Sequence, residues 1–266
     1  MAHPQQLCFI ETFSKYVSSD WHGKKILEIG SYIVEGGIRG FFANSDYLGV
    51  DLTPGPGVDL VASGHLVEHP DNTYDVTVSC ECFEHNPYWL ETFFNMYRMT
   101  LPGGFVVFSC ATRGRLEHGT CRTSPESSPG TQHIGWDYYL NLEEVDFTRR
   151  IQFKDLFDDY IFISNKESRT LFFVGKKTAD IEKYKFNSNE FFREHQRLQR
   201  LLRKNLWESS SLFQRLYAAI LVLVMLPIKL FIWLPDPYFQ NIFVNYVKIL
   251  RRVSKIFPRS SRCRAN

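Results

Sequence analysis

The 266-residue chain contains no Cys-x-x-Cys pair, and its six cysteines, Cys8, Cys80, Cys82, Cys110, Cys121 and Cys263, are too scattered for a disulfide framework. This excludes a small stapled scaffold, and reduced thiols in a cytosol are expected. The first residues, Met1-Ala2-His3-Pro4-Gln5-Gln6, lack a basic patch leading into an apolar run, so no secretory signal is expected. A Gly-x-Gly-x-x-Gly turn is also missing, which counts against a dinucleotide-dependent oxidoreductase. There is no internal repeat or low-complexity tract, and the net charge is only +2.

That small net charge conceals an asymmetry. Residues 1–180 hold 15 Lys+Arg against 24 Asp+Glu, whereas residues 181–266 hold 16 against 5. An acidic catalytic body at 1–180 followed by a basic tail at 181–266 is expected, the tail meeting an anionic surface or folding back on the body. With 44% hydrophobic and 23% charged residues, the chain has the balance of a folded globular protein.

Short apolar runs bounded by Gly, Asp or Pro predict strands at 25–29, 47–50, 58–61, 74–79 and 105–110. Helices are predicted at 5–18 and at 89–101, the second ended by Pro102-Gly103-Gly104. Residues 113–136 have the composition of a loop, long enough to suggest a functional one. Strands at 159–164 and 169–175 form a hairpin around Asn165-Lys166-Glu167-Ser168, and Asn187 with Glu190 resembles a capping box opening a helix to about Trp207. Such alternation builds an α/β fold, a Rossmann-like, mostly parallel sheet with helices on both faces.

Four motifs fall in order: Leu27-Glu28-Ile29-Gly30-Ser31, Gly49-Val50-Asp51, Tyr74 to Ser79 leading to Glu84-His85, and Leu101-Pro102-Gly103-Gly104-Phe105. Gly30 ends the first strand where a side chain would obstruct a ligand, so that backbone alone can approach it. Asp51 ends the second strand, where an ionised carboxylate can accept two ribose hydroxyls. An N-cap role for Asp51 is disfavoured because Pro54-Gly55-Pro56-Gly57 follows. Over roughly residues 20–175 this ordered set resembles the class I S-adenosylmethionine-dependent methyltransferases, of the type 11-like kind.

The resemblance implies S-adenosyl-L-methionine as cofactor and Glu28 as the residue orienting its amino-acid end. It implies Gly30, Ser31, Asp51, Leu52, Ser63 and Glu81 as further cofactor-binding residues. Two departures stand out. Ser31-Tyr32-Ile33-Val34-Glu35 intervenes before Gly36-Gly37, enlarging the turn ahead of Arg39, and Ser63-Gly64-His65 replaces the acidic residue that commonly meets the adenine amino group.

Methyl transfer to oxygen or nitrogen needs alignment, exclusion of water and a base. His85 and His118 are the chosen candidates, histidine being a base near neutral pH; Glu81 and Glu84 adjoin, His133 lies in the polar loop, and Tyr138, Tyr139 and Asn141 are candidate acceptor-lining residues. No metal is expected, because Cys80-Glu81-Cys82 has no second ligand pair.

In the tail, residues 216–234 form a nearly continuous apolar run of about 28 Å as a helix, interrupted by Pro227 and Lys229, which favours a kinked or re-entrant segment. Phe239, Ile242, Phe243, Tyr246, Val247, Leu250, Val253 and Phe257 then follow helical spacing, with Lys248, Arg251, Arg252 and Lys255 on the other face, the pattern of a helix lying on an anionic membrane. Nucleic acid is not expected as a partner, since no reader motif accompanies the basic residues. The acceptor class implied by this variant of the motifs is a saccharide or lipid-linked glycan hydroxyl at the cytoplasmic membrane face, with a lipid, a quinone or a non-catalytic membrane-anchored scaffold as alternatives.

Overall fold

A computed structural model describes residues 3–181 and 183–256, with side chains to Leu250. Helix α1 (Pro4–Val17) leads to strands β1 (Lys25–Ile29), β2 (Asp46–Asp51), β3 (Leu60–Val61) and β4 (Tyr74–Cys80). Helix α2 (Trp89–Met99) precedes β5 (Thr100–Ala111), and the former loop region contains the short α3 (Pro129–His133). Short helices α4 (Glu144–Thr148) and α5 (Phe153–Leu156) lead to β6 (Phe157–Asn165) and β7 (Thr170–Lys177). The chain continues as α6 (Ser188–Ser209), α7 (Leu212–Lys229) and α8 (Asp236–Ile256).

The seven strands form one sheet in the order β3-β2-β1-β4-β5-β7-β6. Neighbours from β3 to β5 pair in parallel, while β7 pairs antiparallel with both β5 and β6. The Rossmann-like, mostly parallel expectation holds. The β6–β7 turn is closed by Asn165, whose side-chain oxygen accepts from the Glu167 and Ser168 amides at 2.9 and 3.2 Å.

Boundaries moved where local chemistry overrode the pattern. Helix α2 stops at Met99, not at 101, because Pro102 disfavours helical backbone in Leu101 before it, and β5 therefore starts at Thr100. Strand β3 shrinks to two residues, since the β2 edge is shared with the Gly55–Val58 turn.

Alternation along β5 sends its side chains into two cores. Val106, Phe108 and Cys110 join Phe93, Met96, Phe147, Phe153 and Phe173 beneath α2, α4 and α5. Phe105 and Val107 join Phe9, Phe13, Trp21, Phe172 and Phe191 beneath α1 and α6. Thus α6, the first helix of the basic segment, packs its opening turns on α1 and the sheet, Phe191 lying 6.0 Å from Phe9 between ring centroids. Asn187 caps α6 through the Glu190 amide, but the reciprocal bond of a capping box is not made; the Glu190 carboxylate accepts from the Tyr16 hydroxyl of α1 instead.

The apolar run at 216–234 is not one helix. Helix α7 ends at Lys229, two residues past Pro227, and after a turn α8 returns against it, burying Ile228 with Phe239, Phe243 and Val244. The Tyr246 hydroxyl donates to the Val224 carbonyl at 2.6 Å, bonding α8 to α7. Among the described residues, Leu212–Lys229 is the one helix long and apolar enough to cross a membrane, and 6% of it is buried. The predicted helix at 239–257 is present as α8; Phe257 lies outside the described residues, as do the side chains of Arg251, Arg252, Val253 and Lys255.

Phe108 ties the first core together, stacked between Phe147 at 4.8 Å and Phe173 at 4.9 Å. Replacing it with alanine is expected to destabilise the fold by about 3–5 kcal/mol, read as a lower denaturant midpoint at unchanged slope, and Phe108→Leu by less.

Candidate active site

A cleft of about 930 Å³, counting its mouth, opens where β1, β2 and β4 end. Glu28, Gly30, Ser31, Asp51, Leu52, Ser63 and Glu81 all line it, and so does His85. His118 does not.

Gly30 has the left-handed φ of +86°, and a Cβ there would lie 2.7 Å from that of Cys82. Both constraints demand glycine. The turn is pinned by the Gly30 and Ser31 amides, which donate to the Val50 carbonyl at 2.9 and 3.1 Å. Asp51 is fixed at the tip of β2 by the Tyr32 amide on Oδ2 at 3.0 Å and the Leu52 amide on Oδ1 at 2.7 Å. Burial raises its pKa, while these two bonds act in the opposite direction.

Glu28 is deeper. Burial lifts its carboxyl to about 7, opposed by the Tyr47 hydroxyl donating to Oε2 at 2.8 Å and by Arg39, and reinforced by Asp51 and Asp59. Arg39 supports this arrangement indirectly, ion-paired with Asp59 and lying 4.7 Å over the Tyr47 ring. Glu81 lines the cleft in an unusual backbone state, φ +51°, and its carboxylate accepts from Ser109 Oγ at 3.0 Å. Although burial pushes Glu81 up, His3 at 3.7 Å and Arg115 at 3.8 Å hold it below the ordinary carboxylate range.

Beyond the cofactor end, the rings of His85 and His118 meet edge to face at 4.9 Å, each also touching Tyr139. Burial and the neighbouring His118 drive His85 well below its usual value, and burial takes His118 down to about 4 against the pull of the Leu116 carbonyl. Both imidazoles are therefore neutral at pH 7. Glu84 is raised by burial and by the charge of Glu81.

Other expectations are corrected. Asn141 is unavailable to an acceptor, since its side-chain amide donates to Asp236 at 2.7 Å and to the Arg115 carbonyl at 2.9 Å. His133 is exposed at the end of α3 and lies off the cleft. The sequence reading missed Gln6 at the start of α1, Asn86, and the segment Ser127–Thr131, all of which line the cleft. A Cβ on Gly130 would approach Asp51 Oδ1 to 2.6 Å, so α3 lies directly over that carboxylate. Ser128-Pro129 was the available signal for that helix, proline being favoured at a first helical position; Gln6 carried none.

Residues 43–108, which run from β2 into β5, match the family model described as a methyltransferase domain. No curated protein matches. Among solved structures, the chain is similar to one from the complex between the Haloferax volcanii Trm112 methyltransferase activator and a methyltransferase, at 12% identity and a TM-score of 0.43, covering 65% of this chain and 90% of that one. It is also similar to Haemonchus contortus phosphoethanolamine N-methyltransferase 2 in complex with S-adenosyl-L-methionine, at 14% identity and a TM-score of 0.45, covering 64% of this chain and 52% of that one. The chain thus spans about half the length of the Haemonchus enzyme. A third is the arsenic(III) S-adenosylmethionine methyltransferase of Chlamydomonas reinhardtii, at 18% identity and a TM-score of 0.39, covering 61% and 66%. The matched segment, about a quarter of the chain, is that of a methyltransferase domain, whose cofactor is S-adenosyl-L-methionine, and it carries β2, β3, β4 and the start of β5.

Proposed function

We propose that the protein methylates a hydroxyl of a saccharide or lipid-linked glycan at the cytoplasmic face of a membrane. The observation carrying the methyl-transfer part of this reading is the convergence of seven cofactor candidates and His85 on one cleft, with Asp51 fixed at its floor. The walls fit the cofactor by their unsatisfied chemistry: Ser31 Oγ and Gln6 Oε1 are buried there without a partner. When bound, S-adenosyl-L-methionine supplies an electrophilic methyl carbon on a sulfonium.

Asp51 would hold the ribose, because each carboxylate oxygen retains a lone pair beyond its backbone bond. Glu28 would hold the cationic amino group, Gly30 and Ser31 the adjoining backbone, and Leu52 and Ser63 the adenine side. Glu81, locked by Ser109, His3 and Arg115, would shape the floor. The neutral imidazoles of His85 and His118 would receive the proton of the acceptor hydroxyl.

A second groove supports an acceptor carried on a lipid. Leu221, Val222 and Met225 of α7 face the body across a space that also meets Lys166, Arg169 and Lys229. An apolar wall beside cations suits acyl chains joined to an anionic group. Arg115 and Leu116 belong to this groove, and the Leu116 carbonyl bonds His118 Nδ1 at 3.0 Å, so one backbone stretch joins groove to histidines. The same wall would also serve a free lipid or quinone acceptor. With a labelled methyl donor and fractionated membranes, label is expected in glycan-bearing material, and label confined to free lipid or quinone would select that alternative.

Asp51→Ala is expected to weaken calorimetric binding of S-adenosylhomocysteine by about 10- to 100-fold, the worth of a charged hydrogen-bonding pair. Unchanged affinity in a folded variant would remove the cofactor assignment. Because Glu28 ionises near pH 7, cofactor affinity should rise from about pH 6 to 8 in wild type relative to Glu28→Gln, whose profile carries only the ligand's own titration; parallel profiles would exclude Glu28 from the amino-group contact. The full chain should co-sediment with vesicles containing anionic phospholipid, and Ile220→Asp with Leu223→Asp on exposed α7 should release it. Equal sedimentation of both proteins would refute membrane docking through α7.

A further inference from the structure

We propose that Glu84, His85 and His118 form a site for one divalent first-row transition-metal ion. Their candidate ligand atoms lie within 4.8 Å of one another. Ligands at about 2.0–2.2 Å from a shared ion would close that spacing by about an ångström, which side-chain rotation can supply. Two imidazoles and one carboxylate leave coordination positions open, the donor set of catalytic zinc and non-haem iron sites.

A separate observation points to a missing ligand. Glu84 is fully buried, and among the described residues neither carboxylate oxygen has a hydrogen-bond partner; His85 Nδ1 is likewise buried and unpartnered there. A buried carboxyl without donor or acceptor is costly in either protonation state, whereas coordination to a cation would satisfy it. His118 is already oriented for this role. Its Nδ1 is engaged by the Leu116 carbonyl at 3.0 Å, which leaves Nε2 free, the usual arrangement of a ligating histidine.

Among the described residues, the nearby cations are paired elsewhere. Arg115 donates to the Ser168 carbonyl and lies 3.8 Å from Glu81, and His3 also faces Glu81, so these two ion pairs run to Glu81 and not to Glu84. The thiols of Cys80 and Cys82 line the cofactor cleft, as does His85, which would bring the ion to the acceptor side of that cleft. The site's purpose rests on the methyl-transfer reading, although its existence does not. The ion would bind the acceptor oxygen and acidify its hydroxyl, the proton passing to solvent, and the two histidines would then be ligands instead of bases.

The test is calorimetric titration of chelator-stripped full-length protein with Zn²⁺, paired with S-adenosylhomocysteine binding and with the visible spectrum of the Co²⁺-loaded protein. One ion per chain is expected, with affinity falling at least about 10-fold in Glu84→Gln, which preserves shape, and in His118→Ala, whose side chain is only partly buried. S-adenosylhomocysteine affinity should be unchanged in both variants, since neither residue lines the cofactor cleft. Absence of stoichiometric binding, retention of binding in both variants, or a thiolate-to-cobalt charge-transfer band would overturn the proposal. Cofactor binding without metal would defeat this inference alone; metal without cofactor would defeat the methyl-transfer reading alone.

Discussion

The cleft exists because β1 is flanked by β2 on one side and β4 on the other. The chain leaves β1 in one direction along the sheet, turns back after β3, and re-enters beside β1 as β4, so the connections at the carboxyl ends diverge and leave a crevice between them. The floor of that crevice is one short set of bonds. Val50 uses its carbonyl to hold both Gly30 and Ser31, and Asp51, the next residue, uses its side chain to hold Tyr32. This joint between two strand ends sets Gly30 beside Asp51, with glycine required at position 30 by its φ and by the Cys82 side chain.

The strands were legible because each is a short apolar run ended by a residue that breaks pairing, and the cofactor candidates were legible because they occupy those ends. The histidine pair was only half legible: His85 follows β4 directly, whereas His118 reaches it through a loop whose path depends on tertiary bonds. Asn141 illustrates the opposite failure. Its type and position suggested a polar lining residue, but Asp236 from α8 claims its amide, a contact separated by too much sequence for any local pattern to reveal. The 187–190 pair was half legible: Asn187 caps α6 through the Glu190 amide, whereas the Glu190 carboxylate accepts from Tyr16.

The same long-range bonds join the C-terminal helices to the candidate site. Gln240 of α8 accepts from the Glu117 amide at 2.9 Å and donates to the Arg115 carbonyl at 2.9 Å. The Glu117 carboxylate in turn accepts from Thr120 and from Arg122, and Arg122 reaches back to Asn241. His118 sits inside this clasp. Helix α8 is thus bonded to the backbone at Arg115 and Glu117, the stretch that carries His118.

The buried acids show what this geometry costs. Glu28 holds its proton more tightly when folded than when unfolded, so the stability this contributes is complete below its ordinary value of 4.5 and lost by about pH 7. Across that window the difference is on the order of 3 kcal/mol, a sizeable share of the stability of an ordinary domain. Simple burial would favour glutamine at that position. The carboxylate there is hydrogen-bonded by Tyr47 and opens to the cleft, where a bound cation would offset the cost of its ionisation. Glu84 is buried as well, and among the described residues its oxygens have no donor such as the Tyr47 hydroxyl. Glu28 lines the cleft and Glu84 adjoins it through His85, so a cation bound at either acid would offset a cost of burial.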